Sequence, residues 1–254
     1  MPDEIAQQTG KSLRGRAAAV GLTKTQIVAA ALRQVDEKGF ATFSLRELAR
    51  TLDVSPAVIY WHVGGAKEDL FAEIAAFFTR ALSEGLEPDA PWQDRLRGVF
   101  LGYRTLVMQH PNVAALLGAQ MKSNGVASLD WVETVLEALT EAGYRGAALK
   151  DAFNALIGGL VGFVTMELAP APADKAEDWG TRFAERVSQI DPKVYPLTHA
   201  ALPDITNRIF VLRWQNGAEI PYDSSFALLL DLLIEGLAAR APSARPDPST
   251  KDDA

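Results

Sequence analysis

The chain has 254 residues, 48% of them hydrophobic, and a net charge of −7. This length allows a large core and two structural units. The absence of cysteine excludes disulfides and thiol nucleophiles. The longest uncharged run, at 152–166, is shorter than the roughly 20 residues that span a bilayer. Because the N-terminus is also acidic and lacks a sustained apolar core, we expect a cytoplasmic protein without a membrane segment.

A polar arm precedes the first predicted helix. Residues 1–21 carry Lys11, Arg14 and Arg16 after an acidic start, and this composition predicts a flexible basic arm. In homeodomains, similar arms reach the minor groove of DNA. The alternative is an arm that does not contact DNA. Residues 1–67 contain nine Lys or Arg and six Asp or Glu, so the acidic excess belongs to the rest of the chain.

The first helix is predicted to begin after Thr23, which forms a capping box with Gln26. Gly39 is a natural C-terminal stop. The residues expected to face inward recur at helical spacing: Ile27, Ala30, Ala31 and Val35.

Two short amphipathic segments follow, SLRELARTL and PAVIYWHV, with only three residues between them. A turn this short makes two helices cross steeply, which is the helix-turn-helix arrangement. Ser44 and Glu47 predict a capping box at the first of these helices. Ser55 as N-cap and Pro56 at the first helical position predict the start of the second.

The second of these helices has an unusual outer surface. Val58, Ile59 and Val63 form its apolar side, which leaves Ala57, Tyr60, Trp61 and His62 facing outward. Tyr and Trp are typical of surfaces that meet a partner, and a helix of this size fits the major groove of DNA. Arg46 and Lys67 flank it where phosphates would lie. The alternative is a ring cluster that packs against a neighbouring helix.

Residues from about 23 to 74 resemble the DNA-binding domain of the TetR (tetracycline-repressor) family of transcriptional regulators. The ordered matches run from TKTQIVAAALRQVDEKGF through FSLRELARTLDVSPAVIYWHV to Lys67. That lysine departs from the family pattern, since it follows Tyr60 by seven residues instead of six. With the resemblance, the predicted DNA-contacting residues are Arg46, Ser55, Pro56, Ala57, Tyr60, Trp61, His62 and Lys67.

The rest of the chain is predicted to be helical. We expect a connector helix at 68–83 and further helices at 92–109, 111–121, 128–142, 146–168, 176–189 and 224–240. The proline-containing segment 190–222 is expected to be irregular, with IFVLRW at 209–214 as the end of a helix. The fold class is therefore all-α. Its predicted parts are a three-helix helix-turn-helix domain at 22–67, a larger ligand-binding and dimerisation domain at 68–240 (connector 68–85), and a disordered tail at 241–254.

Two apolar helices suggest a dimer. Three glycines within one of them predict a close backbone approach, because each glycine costs a helix about 1 kcal/mol relative to alanine. Burial inside one subunit is the alternative, but the family resemblance and the reading of two half-sites favour a homodimer. The predicted interface residues are Gly158, Gly159, Gly162, Leu229, Leu230, Leu233 and Leu237.

A scatter of polar and aromatic side chains on the middle helices suggests a ligand site. YRTLVMQHPNVAALLG resembles the stretch of tetracycline-type repressors in which a histidine at the His110 position faces the drug. The predicted ligand-binding residues are His110, Tyr103, Met121, Trp131, Phe153 and Asn154, although aromatic residues at this spacing also form ordinary cores. We predict no metal site and no cofactor, since no histidine pair has ligand spacing.

The leading hypothesis is a dimeric repressor that binds a palindromic operator and is released by a small, largely apolar effector. An activator or an effector-independent regulator is the alternative within DNA binding. An all-α enzyme or carrier with a structural helix-turn-helix is the alternative from another class. The sequence has no GxSxG, phosphate-binding glycine loop or HExxH motif, so we expect that the protein is not an enzyme.

Overall fold

The computed structural model describes residues 21–80, 82, 85–114, 129–169 and 178–242. The chain forms two compact units, one from residues 1–82 with 109–129 and the other from 83–108 with 130–254. All regular elements in the described residues are helices, which confirms the predicted all-α class. Nearly all of the predicted arm and of the predicted tail lies outside the described residues.

The described part of the first unit contains four α-helices and two short 3₁₀ turns. The helices are α1 (Lys24–Lys38), α2 (Leu45–Thr51), α3 (Pro56–Val63) and α4 (Lys67–Arg80), and the turns are Phe40–Thr42 and Pro111–Val113. Helix α4, which was expected to connect two domains, belongs to this unit. The unit therefore extends beyond the boundary at residue 67 that the sequence suggested. The helix predicted at 111–121 is described only through the 3₁₀ turn and Ala114.

The two predicted capping boxes have different outcomes. At α1, the Gln26 amide donates to Thr23 Oγ1 at 3.2 Å and the Thr23 amide donates to Gln26 Oε1 at 2.8 Å, so the box is complete. At α2, Ser44 Oγ accepts from the Glu47 amide at 3.4 Å, but the return bond is missing. The prediction of a full box was wrong there, because the Glu47 carboxylate is bound by Lys38 instead.

The core of the first unit is made of aliphatic and aromatic residues from all four helices. Fully buried examples are Ile27, Ala31, Val35, Leu48, Ile59, Leu70 and Ile74. Each fully buried aliphatic side chain of this kind contributes roughly 1.5–3 kcal/mol through the hydrophobic effect. An ion pair of 2.6 Å between Lys24 and Glu73 also joins α1 to α4.

Within the described residues, the second unit has six helices. They are α5 (Trp92–Gln109), α6 (Asp130–Glu141), α7 (Gly146–Glu167), α8 (Trp179–Ser188), α9 (Pro196–Ile205) and α10 (Asp223–Arg240). Five of them lie within a few residues of the predicted bounds. Helix α9 was not predicted, because its prolines suggested an irregular segment. Pro196 occupies the first turn, where a missing N–H is harmless, and Pro203 lies near the C-terminal end.

Residues 209–214 do not end a helix, so that prediction was wrong. They belong to a turn segment held by Asn207, whose backbone has a positive φ of 56°. Asn207 Oδ1 accepts from the amides of Trp214 and Gln215 at 2.9 and 3.1 Å, and Asn207 Nδ2 donates to Gln215 Oε1 at 2.7 Å. These side-chain bonds replace the backbone bonds that a helix would have supplied.

A buried ion pair stands at the end of α7. Glu167 is completely buried, and its carboxylate accepts from Arg104 Nε and Nη2 at 2.9 and 2.7 Å. It also accepts from the Tyr222 amide at 2.8 Å. The hydrogen bonds of Arg104 to Glu167, and a further one to Asp223 at 2.7 Å, raise the pKa of Arg104. The pair thus connects α5, α7 and the start of α10, and it compensates the cost of burying two charges with hydrogen bonds.

Candidate nucleic-acid interface

The turn between α2 and α3 sets the angle between these two helices. Asp53 adopts a positive φ of 52°, and the Val54 amide donates to the Ala49 carbonyl at 3.0 Å. A left-handed residue at this point ends α2 abruptly, and Asp tolerates that conformation better than most residues. The predicted helix-turn-helix is therefore formed by two helices with a tight connection.

The inner side of α3 is anchored in the core. Ile59 is fully buried and Val63 is 6% exposed. Helix α3 ends at Gly64, with a φ of 129°, and a Cβ there would lie 2.9 Å from the Asp69 carboxylate. Asp69 in turn accepts from the Ala66 amide at 2.8 Å at the start of α4. These contacts fix both the position and the rotation of α3.

The outer side of α3 is only partly as expected. Trp61 is 80% exposed, and Ser55, Pro56 and Ala57 are also exposed. Tyr60 and His62 are half-buried, so the ring cluster is less open than the sequence predicted. The Trp61 and His62 rings form a T-shaped pair with centroids 4.7 Å apart. A large indole left in water on an anchored helix is typical of a contact surface.

The two flanking cations differ. Arg46 on α2 is exposed and free to extend toward a phosphate. Lys67 is half-buried, and its Nζ lies 5.3 Å from the Phe43 ring centroid and 5.1 Å from that of Phe71. Cation–π contacts of this kind hold the ammonium against the protein. Of the two cations, Arg46 is therefore the better placed for a phosphate contact.

The acidic group on α2 is neutralised locally. Glu47 pairs with Lys38 and lies 3.5 Å from Arg50. The hydrogen bond from Lys38 lowers the pKa of the Glu47 carboxyl. Because its charge is paired, this carboxylate repels a nearby phosphate less than an unpaired one would.

The predicted ligand-binding residues are distributed over both units. Trp131 and Phe153 stack with ring centroids 6.2 Å apart, so the structure brings these two together. Tyr103 is buried, which raises the pKa of its hydroxyl, whereas Asn154 is exposed. His110 belongs to the first unit, where it binds Asp36. Met121 lies outside the described residues.

The predicted interface residues on α7 and α10 divide into two groups. Leu230 and Leu237 are 1% and 9% exposed, so they are core residues of their own subunit and offer little surface to a partner. The remaining five are half-buried or exposed: Gly158, Gly159, Gly162, Leu229 and Leu233. Of these three glycines, Gly159 alone has a close neighbour among the described residues, since a Cβ there would lie 3.2 Å from Leu233 Cδ1; a Cβ at Gly158 or Gly162 would meet nothing within 4 Å.

Further exposed apolar residues lie on the same two helices. Leu228 and Leu232 are 59% and 61% exposed on α10, and Met166 is 48% exposed on α7. With Gly158 and Gly162 they form stripes at a spacing of four residues, which places them on one side of each helix. The spacing was visible in the sequence, but a helix with leucines on several sides does not reveal which side its own subunit covers.

Helix α7 is unusually apolar. Its length and composition would allow it to cross a membrane. Its most apolar 18-residue stretch has a mean hydropathy of 1.4, and 22% of that stretch is buried in the chain. The core helix of a globular protein meets the same criteria, and the fully buried Glu167 at its end is bound by Arg104. No cluster of three metal-ligating side chains occurs within the described residues.

Taken together, an anchored helix-turn-helix and a separate helical unit define a helix-turn-helix regulator. Comparison with protein-family profiles identifies the family of this regulator. The profile of bacterial regulatory proteins of the tetR family matches residues 27–74, and that of the tetracyclin repressor-like C-terminal domain matches residues 84–241. Because the second match alone spans more than half of the chain, the protein belongs to the TetR family of transcriptional regulators. It is a DNA-binding regulator with a ligand-binding domain and not an enzyme, as the sequence predicted.

Individual relatives agree with this assignment. An HTH-type transcriptional regulator of Saccharopolyspora erythraea is 30% identical over 163 residues, which cover 64% of this chain and 67% of the relative. The class D tetracycline repressor protein of Escherichia coli is 27% identical over 137 residues, which cover 53% and 60% of the two chains. The matched region thus spans about two thirds of the first relative and three fifths of the second.

Solved structures share the fold. A possible TetR family regulator of Streptomyces coelicolor superposes with a TM-score of 0.67 at 23% identity, over 85% of this chain and 99% of that chain. ActR of the same organism, solved with actinorhodin, gives a TM-score of 0.65 at 20% identity over 87% and 99%. BioQ, solved with its DNA operator, gives 0.56 at 23% identity over 86% and 99%.

Proposed function

We propose that the protein is a dimeric transcriptional repressor that binds a palindromic operator and releases it when a small molecule occupies the C-terminal domain. The observation that carries the proposal is the outer surface of α3, where Trp61 is 80% exposed on a helix whose other side is anchored by Ile59 and Val63. Binding to chromosomal DNA would place the protein in the cytoplasm.

The proposed DNA contacts follow from the exposure of each residue. The N-terminal and outer surface of α3 faces the base edges. Its exposed residues are Ser55, Pro56, Ala57 and Trp61, with Tyr60 and His62 at the margin. Arg46 supplies a phosphate contact that fixes the register. Lys67 is the weakest member of the set, since it would have to leave two aromatic rings before reaching a phosphate. The structure of BioQ with its operator supports this mode of binding for the fold.

A homodimer is supported by the apolar surface of α7 and α10. Gly158, Gly162, Met166, Leu228 and Leu232 leave two adjacent stripes uncovered in the single chain. Copies of these helices related by a two-fold axis would form a four-helix bundle, with the glycines allowing close approach. A dimer of this kind presents two copies of α3 to half-sites about one helical turn, or a multiple of it, apart.

Release by an effector requires that the ligand bind the DNA-free conformation more tightly than the DNA-bound one. ActR in complex with actinorhodin is a precedent for ligand binding by a protein of this fold. In the present chain, Trp131 and Phe153 stack on each other, which supports a role for this pair in ligand binding. We propose that this pair contacts the effector.

The decisive experiment is selection of bound sites from a randomised duplex library at physiological salt. We expect enrichment of an inverted repeat by the wild-type protein and loss of enrichment for Trp61→Ala. The matched control Leu197→Ala removes another exposed apolar side chain, 85% accessible on α9, and should enrich the same repeat. Binding without enrichment, and with a steep salt dependence, would mean contact with phosphates only and would overturn the proposal.

The direction of regulation needs a separate measurement. In a reconstituted transcription assay on a promoter that contains the selected repeat, the repressor reading predicts fewer transcripts as protein is added. An increase in transcripts would identify an activator and would leave the DNA-binding part of the proposal intact.

A further inference from the structure

A cavity in the second unit is lined by neither Trp131 nor Phe153. It has a volume of ≈ 370 Å³ and is formed by helix α8 and the turn segment at 207–219, with Ala169 at one wall. A space of this size accommodates a small organic molecule. None of the residues that the sequence predicted for ligand binding lines it.

Four aromatic side chains line the cavity. Trp179 and Phe183 on α8 stack on each other with ring centroids 5.4 Å apart and an interplanar angle of 21°. Phe210 and Trp214 line it from the turn segment. Four aromatic rings around one cavity favour a planar aromatic guest over a saturated one, because rings gain from offset-stacked and edge-to-face contacts.

The turn segment is rigidly held, so the cavity is already formed without a guest. Gly217 donates from its amide to the Glu167 carbonyl at 2.7 Å, and a Cβ on Gly217 would lie 2.2 Å from Glu167 Cγ. On the other side, Trp214 packs against Gly180 of α8, where a Cβ would be 3.6 Å from the indole. A preformed site loses less free energy on binding than one that must first be ordered.

One cavity residue supplies positive charge. Arg213 donates to the carbonyls of Met166, Glu167 and Ala169, with the latter two at 3.0 and 3.4 Å, and so binds the C-terminal end of α7. Because these acceptors are neutral carbonyls, the guanidinium keeps its charge while its position is fixed. Glu219, which is exposed, lies in the same wall and opposes this charge. An anionic group close to Arg213 and away from Glu219 is therefore favoured.

We infer that this cavity is a binding site for a planar aromatic anion, such as an aromatic carboxylate. The stacked rings of α8 and the turn segment hold the ring system, and Arg213 attracts the acid group. The inference concerns binding alone and does not depend on DNA recognition. It is tested without DNA, so its failure and that of the proposed function are distinguishable.

The test is isothermal titration calorimetry of the full chain with 2-naphthoate. We expect saturable binding of one 2-naphthoate molecule per chain. The saturated analogue decalin-2-carboxylate should bind about tenfold more weakly, and the neutral analogue 2-naphthamide should also bind more weakly. Val211→Trp should fill the cavity and weaken binding by about tenfold or more, since Val211 lines it and is 73% exposed. Val194→Trp, at a 61% exposed position that does not line the cavity, is the matched control and should bind as wild type.

A second variant tests the charge without risk to the fold. Glu219→Gln removes the opposing charge at an exposed position, and we expect about twofold tighter binding of 2-naphthoate with no change for 2-naphthamide. Absence of saturable binding, or equal binding by wild type and Val211→Trp, would overturn the inference. Equal affinity for naphthoate and naphthamide would overturn the role of Arg213.

Discussion

His110 Nδ1 lies 2.7 Å from Asp36 Oδ2, so the histidine singled out as a ligand contact is bonded to helix α1 of the first unit. Its ring also makes a T-shaped contact with Phe78 on α4, with centroids 5.2 Å apart. The neighbouring Asn112 donates to the Asp36 carbonyl at 2.8 Å. The segment at 110–112 is thereby fastened to the same helices that support α3. We infer that His110 stabilises the first unit.

Replacing His110 by alanine should lower the free energy of unfolding by about 1–2 kcal/mol, because it removes a hydrogen bond to a carboxylate and a ring contact. Urea denaturation followed by circular dichroism would measure this. His199, exposed on α9, provides the control His199→Ala, for which we expect no measurable change. Equal stability of both variants would show that the bond to Asp36 contributes nothing.

Arg46→Ala should weaken DNA binding by a similar factor for all sequences and reduce the salt slope by about one, since a phosphate contact carries no base information. Fluorescence anisotropy with the selected operator and with unrelated DNA at several salt concentrations would measure both quantities. Arg182→Ala on α8 removes the same charge from the second unit and serves as control. A loss confined to the operator would instead identify Arg46 as a base-reading residue.

Glu167→Ala should destabilise the second unit by about 3–5 kcal/mol, because it leaves the guanidinium of Arg104 in a largely buried position without its main partner. Chemical denaturation would measure the loss. Asp223→Ala is the matched control, since its carboxylate binds the same arginine but is 76% exposed; we expect less than about 1 kcal/mol. Comparable losses for the two variants would contradict the dominant role of the buried partner.

Gly162→Leu should weaken the dimer by about tenfold or more, because a Cβ there meets nothing within 4 Å in the described part of its own chain, whereas the added side chain would block the approach of a partner helix. Sedimentation velocity over a range of concentrations would report the dimer. Ala147→Leu, at an exposed position in the first turn of the same helix, should leave it intact. An unchanged dimer for Gly162→Leu would place the interface elsewhere.

The sequence by itself determined the helices that local signals define. Thr23 with Gln26, Ser55 with Pro56 and the glycine at position 39 mark helix ends through bonds and dihedral angles within a few residues. The amphipathic spacing around Leu48 and Ile59 then predicted the helix-turn-helix, because burial of one side is encoded by the residues themselves.

Only the tertiary structure decided what depends on partners distant in sequence. The bond of His110 to Asp36 spans 74 residues, and that of Glu167 to Arg104 spans 63. The cavity beside α8 likewise depends on the turn segment, which the bonds of Asn207 to Trp214 and Gln215 hold in place. Which leucines of α10 lie in the core was equally undetermined, because an apolar pattern records hydrophobicity but not the surface that covers it.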